Sequence, residues 1–249
     1  MNRIIKSLLI AAVPVIAASP AIAGCRDAPG PSVDWSGCKK KQLILTGENF
    51  AGGTFRNTYF TSTDLSRSNL SGAQFVNADL ARANLSKTNL SKALFEKVQA
   101  PRAWFESANL TGTNFRKSDL TRANFKGANL DGAVFSGSEL NRAEFESARL
   151  TNVDFSKAEL ARANLAGQRM TGMNFSYANI SRADFRGTAL GDAKMEGAYL
   201  FLTRIEGADL SSATDLTQDQ LNIACGDQAT LLPAGLTVPA SWPCLDLDD

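Results

Sequence analysis

The sequence contains no histidine. A His-dependent nucleophilic triad, a His general base and a His metal ligand are therefore excluded outright. It also lacks an excess of either charge: 26 basic against 25 acidic residues leave a net charge of +1. Nothing global draws such a chain toward nucleic acid or an anionic membrane, and no nucleic-acid partner is expected. Beyond the first two dozen residues there is no apolar run long enough to cross a bilayer as a helix. Cysteine is scarce, with four in the chain and none between Cys38 and Cys225. No nucleophile–base pair and no metal-spaced cluster appears, so neither an enzyme, a cofactor nor a metal is expected.

The one long apolar stretch is N-terminal. Residues 1–23, MNRIIKSLLIAAVPVIAASPAIA, have the order of a secretory signal. Arg3 and Lys6 form the basic region, Leu8 to Ala18 the apolar region, and Ala21-Ile22-Ala23 the small-residue cleavage pattern. Loss of this leader would leave 24 basic against 25 acidic residues and a chain exported to an oxidising compartment. Cys25, Cys38, Cys225 and Cys244 are then disulfide candidates, and two short-range pairs are the simplest of three connectivities. A second reading competes at Cys25. Ile22 to Cys25, IAGC, resembles a bacterial lipobox, in which Cys25 would carry lipid and leave Cys38 unpaired.

Between these ends runs one period. From 45 to 210 every fifth residue is a centre, 34 in all, of which sixteen are Leu and thirteen Phe; only Ala100 is small. Two residues before each centre stands a small residue, with Leu43, Glu48, Gln168 and Met173 as exceptions. Neither a helical 3.6-residue period nor strict strand alternation fits. A unit with one large and one small inward position, and three polar ones, builds one wall of a coil.

The stretches GANL (Gly127 to Leu130), SANL (Ser107 to Leu110), RADF (Arg182 to Phe185) and GADL (Gly207 to Leu210) carry a resemblance to the pentapeptide-repeat family, whose consensus is A(D/N)LXX. That resemblance implies an all-β fold, a right-handed quadrilateral β-helix with four units per coil. The sequence tests the number four independently. Sorted by twenty, Phe55, Phe75, Phe95, Phe115, Phe135, Phe155 and Phe175 fall in one column, as stacking of like rings would require. The expected organisation is a signal peptide over 1–23, an N-terminal cap over 24–42, a β-helix of about 8.5 coils and roughly 40 Å over 43–212, and a C-terminal cap over 213–249.

Both ends need covering, because open sheet edges invite association. Trp35 is suited to plug the front; at the back a short helix within Leu216 to Gly226, with Thr217 as N-cap and Gly226 as stop, precedes an extended tail tied by Cys244. Tyr199, Phe201 and Leu202 are expected beneath that tail. Ala100-Pro101 predicts a compensated core with a local bend, and Gln168 with Met173 a second distortion.

Two outward columns stand out. Arg82, Arg102, Arg122, Arg142, Arg162 and Arg182 share one corner, and are expected to form a charge-alternated edge with Asp79, Asp119, Glu139, Glu144, Glu159 and Asp184; the sharper reading is a rail for a polyanion. Asn49, Asn69, Asn89, Asn109 and Asn129 are expected to hydrogen-bond along the rod. The functional expectation is a non-catalytic exported scaffold, periplasmic or secreted, offering flat faces to an unknown protein or an envelope component; a homodimer is compatible with it. The alternative, taken from cytoplasmic family members that mimic duplex DNA and bind topoisomerases, requires a strongly acidic rod, which the near-neutral charge and the leader argue against.

Overall fold

The computed structural model describes residues 24–244; the predicted leader and its cleavage pattern lie outside the described residues. One local rule repeats along the chain. The carbonyl of most centres accepts from the N–H three residues on, as from Ala73 to Leu70 (3.0 Å) and Ala133 to Leu130 (2.9 Å). The third residue of the turn has positive φ, 58° at Asn77 and 57° at Lys117, the signature of a type II turn. The residue before each centre is extended, and where it is Asn or Asp its side chain accepts from the N–H two residues later. Asp119 does so from Thr121 (2.9 Å) and Asn124 from Lys126 (2.8 Å). This Asx-type closure explains why Asn and Asp dominate that position.

Four turns make one circuit. Parallel bridges join residues twenty apart from Asp34↔Thr54 to Lys194↔Thr214. Two of them broaden into short strands, β1 (Leu150–Thr151) and β2 (Met170–Thr171), paired in parallel register Leu150↔Met170. The architecture is the right-handed quadrilateral β-helix that the repeat predicts. Its interior is filled by the centres and the small residues between them, nearly all fully buried. Phe115 and Phe135 stack at 4.9 Å with an interplanar angle of 3°, and Phe135 and Phe155 at 5.2 Å with 16°. Phe125 meets Phe135 edge-on at 5.7 Å, so two aromatic columns interlock at right angles.

The irregularities differ from expectation in one respect. No bend follows Ala100, because Pro101 occupies the second position of a type II turn, where its fixed φ is suitable. Arg102 keeps φ 57° and Ala103 donates to Ala100 O at 3.2 Å. The second irregularity is a change of turn. Val153 and Met173 fill small positions, and β1 and β2 replace ordinary turns beside them. Gly191 then has φ +52°, and a Cβ there would meet Met170 O at 3.1 Å. Gln168 lies in the same region, its amide able to donate to Ala148 O and accept from Ser147 N, each at 3.0 Å.

Both ends are pinned by disulfides, Cys25–Cys38 and Cys225–Cys244. The coil register runs back through Asp34 and Lys39. Trp35 thus stands twenty residues before Phe55, 5.9 Å from it, and closes the Phe column. Lys40 lies 3.5 Å over the Trp35 ring and donates to Cys25 O at 2.9 Å; burial lowers its pKa. At the back, α1 (Gln218–Asn222) starts at Thr217 with a full capping box. Gln220 Nε2 also donates to Met195 O and Ala198 O, both 2.8 Å, tying the helix to the last coil. The helix ends at Ile223 rather than Gly226, because Cys225 must be extended to bridge Arg204. Gly226 serves another purpose: Trp242 lies on it, where a Cβ would come within 2.4 Å of the ring.

Candidate functional site

Each coil has four corners, and the turn residue with positive φ is the one that projects from them. Glycine and asparagine tolerate that conformation best. Three corners mix Gly with Asn, Lys and Ser and with single residues such as Arg67 and Tyr177, whereas the fourth carries arginine in six consecutive coils. Arg82, Arg102, Arg122, Arg142, Arg162 and Arg182 have φ between 55° and 60° and are exposed. Their backbones sit in one ladder: Arg122 N donates to Asn141 O (2.9 Å) and Arg142 N to Ala161 O (3.0 Å). Left-handed backbone at a non-glycine residue costs about 1 kcal/mol or more. Neighbouring cations one coil apart, about 4.8 Å, add roughly 1 kcal/mol of repulsion per pair even in water.

The expected charge alternation is not formed. Among the described residues no carboxylate lies within 4.0 Å of any of the six guanidinium groups. Five of the six acidic neighbours are engaged elsewhere; they stand at the extended wall position, where Asp closes its own turn and Glu reaches along the wall. Asp79 accepts from Thr61 Oγ1 (2.7 Å) and Ala81 N (3.0 Å), and Asp119 from Thr121 N. Glu159 accepts from Asn179 Nδ2 (2.7 Å), and Glu144 pairs with Lys126 at 3.5 Å. Burial raises the pKa of Asp184, but its hydrogen bonds from Arg186 outweigh that and hold it below the usual carboxylate range.

The wall adjoining this corner runs Tyr59, Asp79, Gln99, Asp119, Glu139, Glu159, Asn179, Tyr199, each bridged to the next. Its far corner carries Lys97, Arg116, Lys117 and Lys157. Across the wall and both corners, from Asp79 to Arg182, ten basic side chains face five acidic ones (Asp79, Glu96, Asp119, Glu139, Glu159). A near-neutral chain therefore concentrates positive charge on one side. Every exposed aromatic ring among the described residues also belongs to this side or borders it. Tyr59 and Tyr199 are on the wall, Tyr177 is on the far corner, Phe201 is on the arginine corner, and Trp104 flanks Arg102. Trp104 is 57% exposed and Tyr177 55%. Tyr177 donates to Glu196 at 2.5 Å, which raises its pKa, and its ring leans on Gly197.

Tyr199 and Phe201 correct a further expectation. They stack at 6.1 Å and remain 50% and 41% exposed, not covered by the described part of the tail. The returning chain crosses the end of this side through α1, where Gln220 donates to Ala198 O (2.8 Å) and half-buried Leu202 donates its N–H to Ile223 O (2.7 Å). It then passes to the next walls, Arg204 bridging Cys225 and Asp209 bridging Leu231, which leaves both rings exposed. The lysine corner and its aromatic border have a signal in the sequence, because Lys97, Lys117 and Lys157 share a twenty-residue column.

The asparagine column is a structural ladder over four coils. Asn69, Asn89 and Asn109 each donate 3.2 Å to the Oδ1 of the Asn one coil before, while each of those oxygens also accepts a backbone N–H. Among the described residues no three His, Cys, Asp or Glu side chains gather as a metal site requires, and no helix is long and apolar enough to cross a membrane.

A family profile described as pentapeptide repeat region matches residues 99–168 and 138–214, and one described as pentapeptide repeats (8 copies) matches 44–82 and 58–96. No curated protein matches the chain. Among solved structures, it is similar to HetL, a pentapeptide repeat protein involved in heterocyst differentiation regulation from the cyanobacterium Nostoc sp. strain PCC 7120. The two are 24% identical over 82% of this chain and 86% of that one, with a TM-score of 0.53. It is also similar to full-length QnrB1, a plasmid-mediated fluoroquinolone resistance protein, at 19% identity over 76% of this chain and 94% of that one, with a TM-score of 0.44. At these identities the likeness is one of fold alone. By its repeats, matched over more than half its length, the chain belongs to the pentapeptide-repeat family.

Proposed function

We propose that this protein is an exported, non-catalytic scaffold that works by presenting a flat face of its rod to a protein or to a component of the cell envelope. The observation that carries the reading is the asymmetry of the surface. A rod with a solid apolar interior offers its walls and corners, and one side gathers arginines without a carboxylate partner among the described residues, a lysine row and the exposed aromatic rings. Interfaces favour Arg, Tyr and Trp for their contact area and hydrogen bonding. Two terminal disulfides support an oxidising location, periplasmic or secreted. The Cys25–Cys38 pair also favours a free N-terminus near Gly24 over a lipid anchor at Cys25. Mimicry of duplex DNA gains no support from a wall of this sign.

The test is expression of the full chain from its own start, followed by fractionation, N-terminal mass spectrometry and cross-linked capture from the envelope fraction. The expected result is export, an unmodified N-terminus near Gly24 and a partner lost on Arg122→Glu/Arg142→Glu. Retention in the cytosol together with gyrase inhibition would overturn the reading.

A further inference from the structure

The arginine corner has a direction as well as a sign. Its arginines advance one per coil along the rod axis, about 4.8 Å each, so six of them span about 24 Å in a straight line. A globular partner has no need of such regularity, whereas a linear polymer bearing one anion per repeat fits it. We propose that the arginine corner binds a linear anionic glycan with one carboxylate per sugar, lying along the rod and clear of the carboxylates of the adjoining wall. The proposal rests on the scaffold reading and names the class of envelope component it would engage.

Three observations favour this occupant. Each guanidinium lacks a carboxylate partner among the described residues and can take one in bidentate geometry. Exposed rings stand at intervals beside the rail rather than at every step: Trp104 next to Arg102, Tyr177 across the wall, and stacked Tyr199 and Phe201 just beyond Arg182. Occasional flat rings suit the apolar C–H faces of sugars along a chain. Single-stranded nucleic acid, in contrast, is gripped by successive stacked bases, and that would call for a ring at nearly every coil. A duplex strand advances about 3.4 Å per phosphate, which falls out of step with the coils within a few repeats. Finally, glycine would suit the corner conformation better at all six positions, yet arginine is kept at each.

Glycine also supplies the test. Arg102→Gly/Arg122→Gly/Arg142→Gly removes three cations at residues whose φ glycine adopts freely, so the coil is retained; unchanged circular dichroism and melting temperature verify this. Lys87→Gly/Lys92→Gly makes the same backbone exchange on other corners, at φ 59° and 58°. Polygalacturonate oligomers are titrated calorimetrically into each protein at low salt, beside neutral dextran, oligothymidylate and inorganic polyphosphate. The expected result is binding of polygalacturonate by the parent and by the lysine variant, weakened about tenfold or more in the arginine variant, with dextran inert. No binding by the parent, equal loss in the lysine variant, or tighter binding of oligothymidylate or polyphosphate overturns the glycan assignment. A protein captured by the parent and lost in the arginine variant, with no polygalacturonate binding, refutes the glycan but leaves the scaffold intact.

Discussion

Phe135→Ala probes the packing that makes the rod a rod. The ring is fully buried, stacked on Phe115 at 4.9 Å and Phe155 at 5.2 Å, and met edge-on by Phe125 at 5.7 Å and Phe145 at 6.5 Å. Truncation removes all four contacts and leaves a cavity between two coils that cannot collapse, since their spacing is fixed by backbone ladders on every wall. Phe→Ala in such a site costs about 3–5 kcal/mol. In a solenoid, where each coil is stabilised only by its neighbours, the loss falls on both interfaces of the coil. For a domain of this size the melting temperature should fall by about 10 °C. Phe135→Leu keeps most of the volume and should cost about 1–2 kcal/mol. Thermal melts by circular dichroism, with urea titration as a second probe, read both variants against the parent. If Phe135→Ala melts within about 2 °C of the parent, the column is not packed as a continuous stack and the reasoning fails.

The small inward positions make the opposite demand: Ala133→Leu, at a fully buried alanine, should destabilise by about 1–3 kcal/mol through overpacking, and a parental melting curve would refute its inward placement. Cys225→Ser/Cys244→Ser opens a 19-residue separation worth about 3 kcal/mol, so limited proteolysis should cut the tail between Leu232 and Cys244 while the coil spectrum persists. Asp227 is held below the usual carboxylate range first by the N–H of Gly207 (3.0 Å), against a smaller opposing effect of burial. A carboxyl with a depressed folded pKa stabilises above its unfolded pKa and loses that contribution as pH falls through the folded value. Amide exchange at Gly207 and Thr230 should therefore quicken, beyond its intrinsic pH dependence, as pH falls below the usual carboxylate range, and in Asp227→Asn that acid-induced change should be absent.

How much could be read in advance follows from what sets each feature. The five- and twenty-residue rhythms are direct consequences of inward packing, so Phe115, Phe135 and Phe155 announce their neighbours from the sequence alone. Trp35 is in the same register, twenty before Phe55, and its plugging position was equally legible. The pairing of the arginines was not. Asp119 and Arg122 are three residues apart, a distance that suggests an ion pair, but the intervening left-handed turn swings Arg122 off the corner while Asp119 closes its own turn. Exposure of Tyr199 and Phe201 was hidden for another reason. The path of the tail depends on where α1 is inserted, and the bridges shift from twenty residues apart to 21 at Arg204↔Cys225 and 22 at Asp209↔Leu231. Such offsets have no periodic signal.

All of this depends on twenty residues closing one circuit, so that Arg122 and Arg142 are neighbours on one corner. Ser136 and Ser156 test that claim directly, because their hydroxyls lie 3.0 Å apart across adjacent coils. The described cysteines are all paired, which leaves a clean thiol background. Under mild oxidation Ser136→Cys/Ser156→Cys should lose both free thiols and form an intramolecular disulfide. Ser136→Cys/Ser176→Cys, two coils apart at about 9.6 Å, should keep both. Two persistent thiols in the first protein, or ready closure in the second, would contradict the four-walled register.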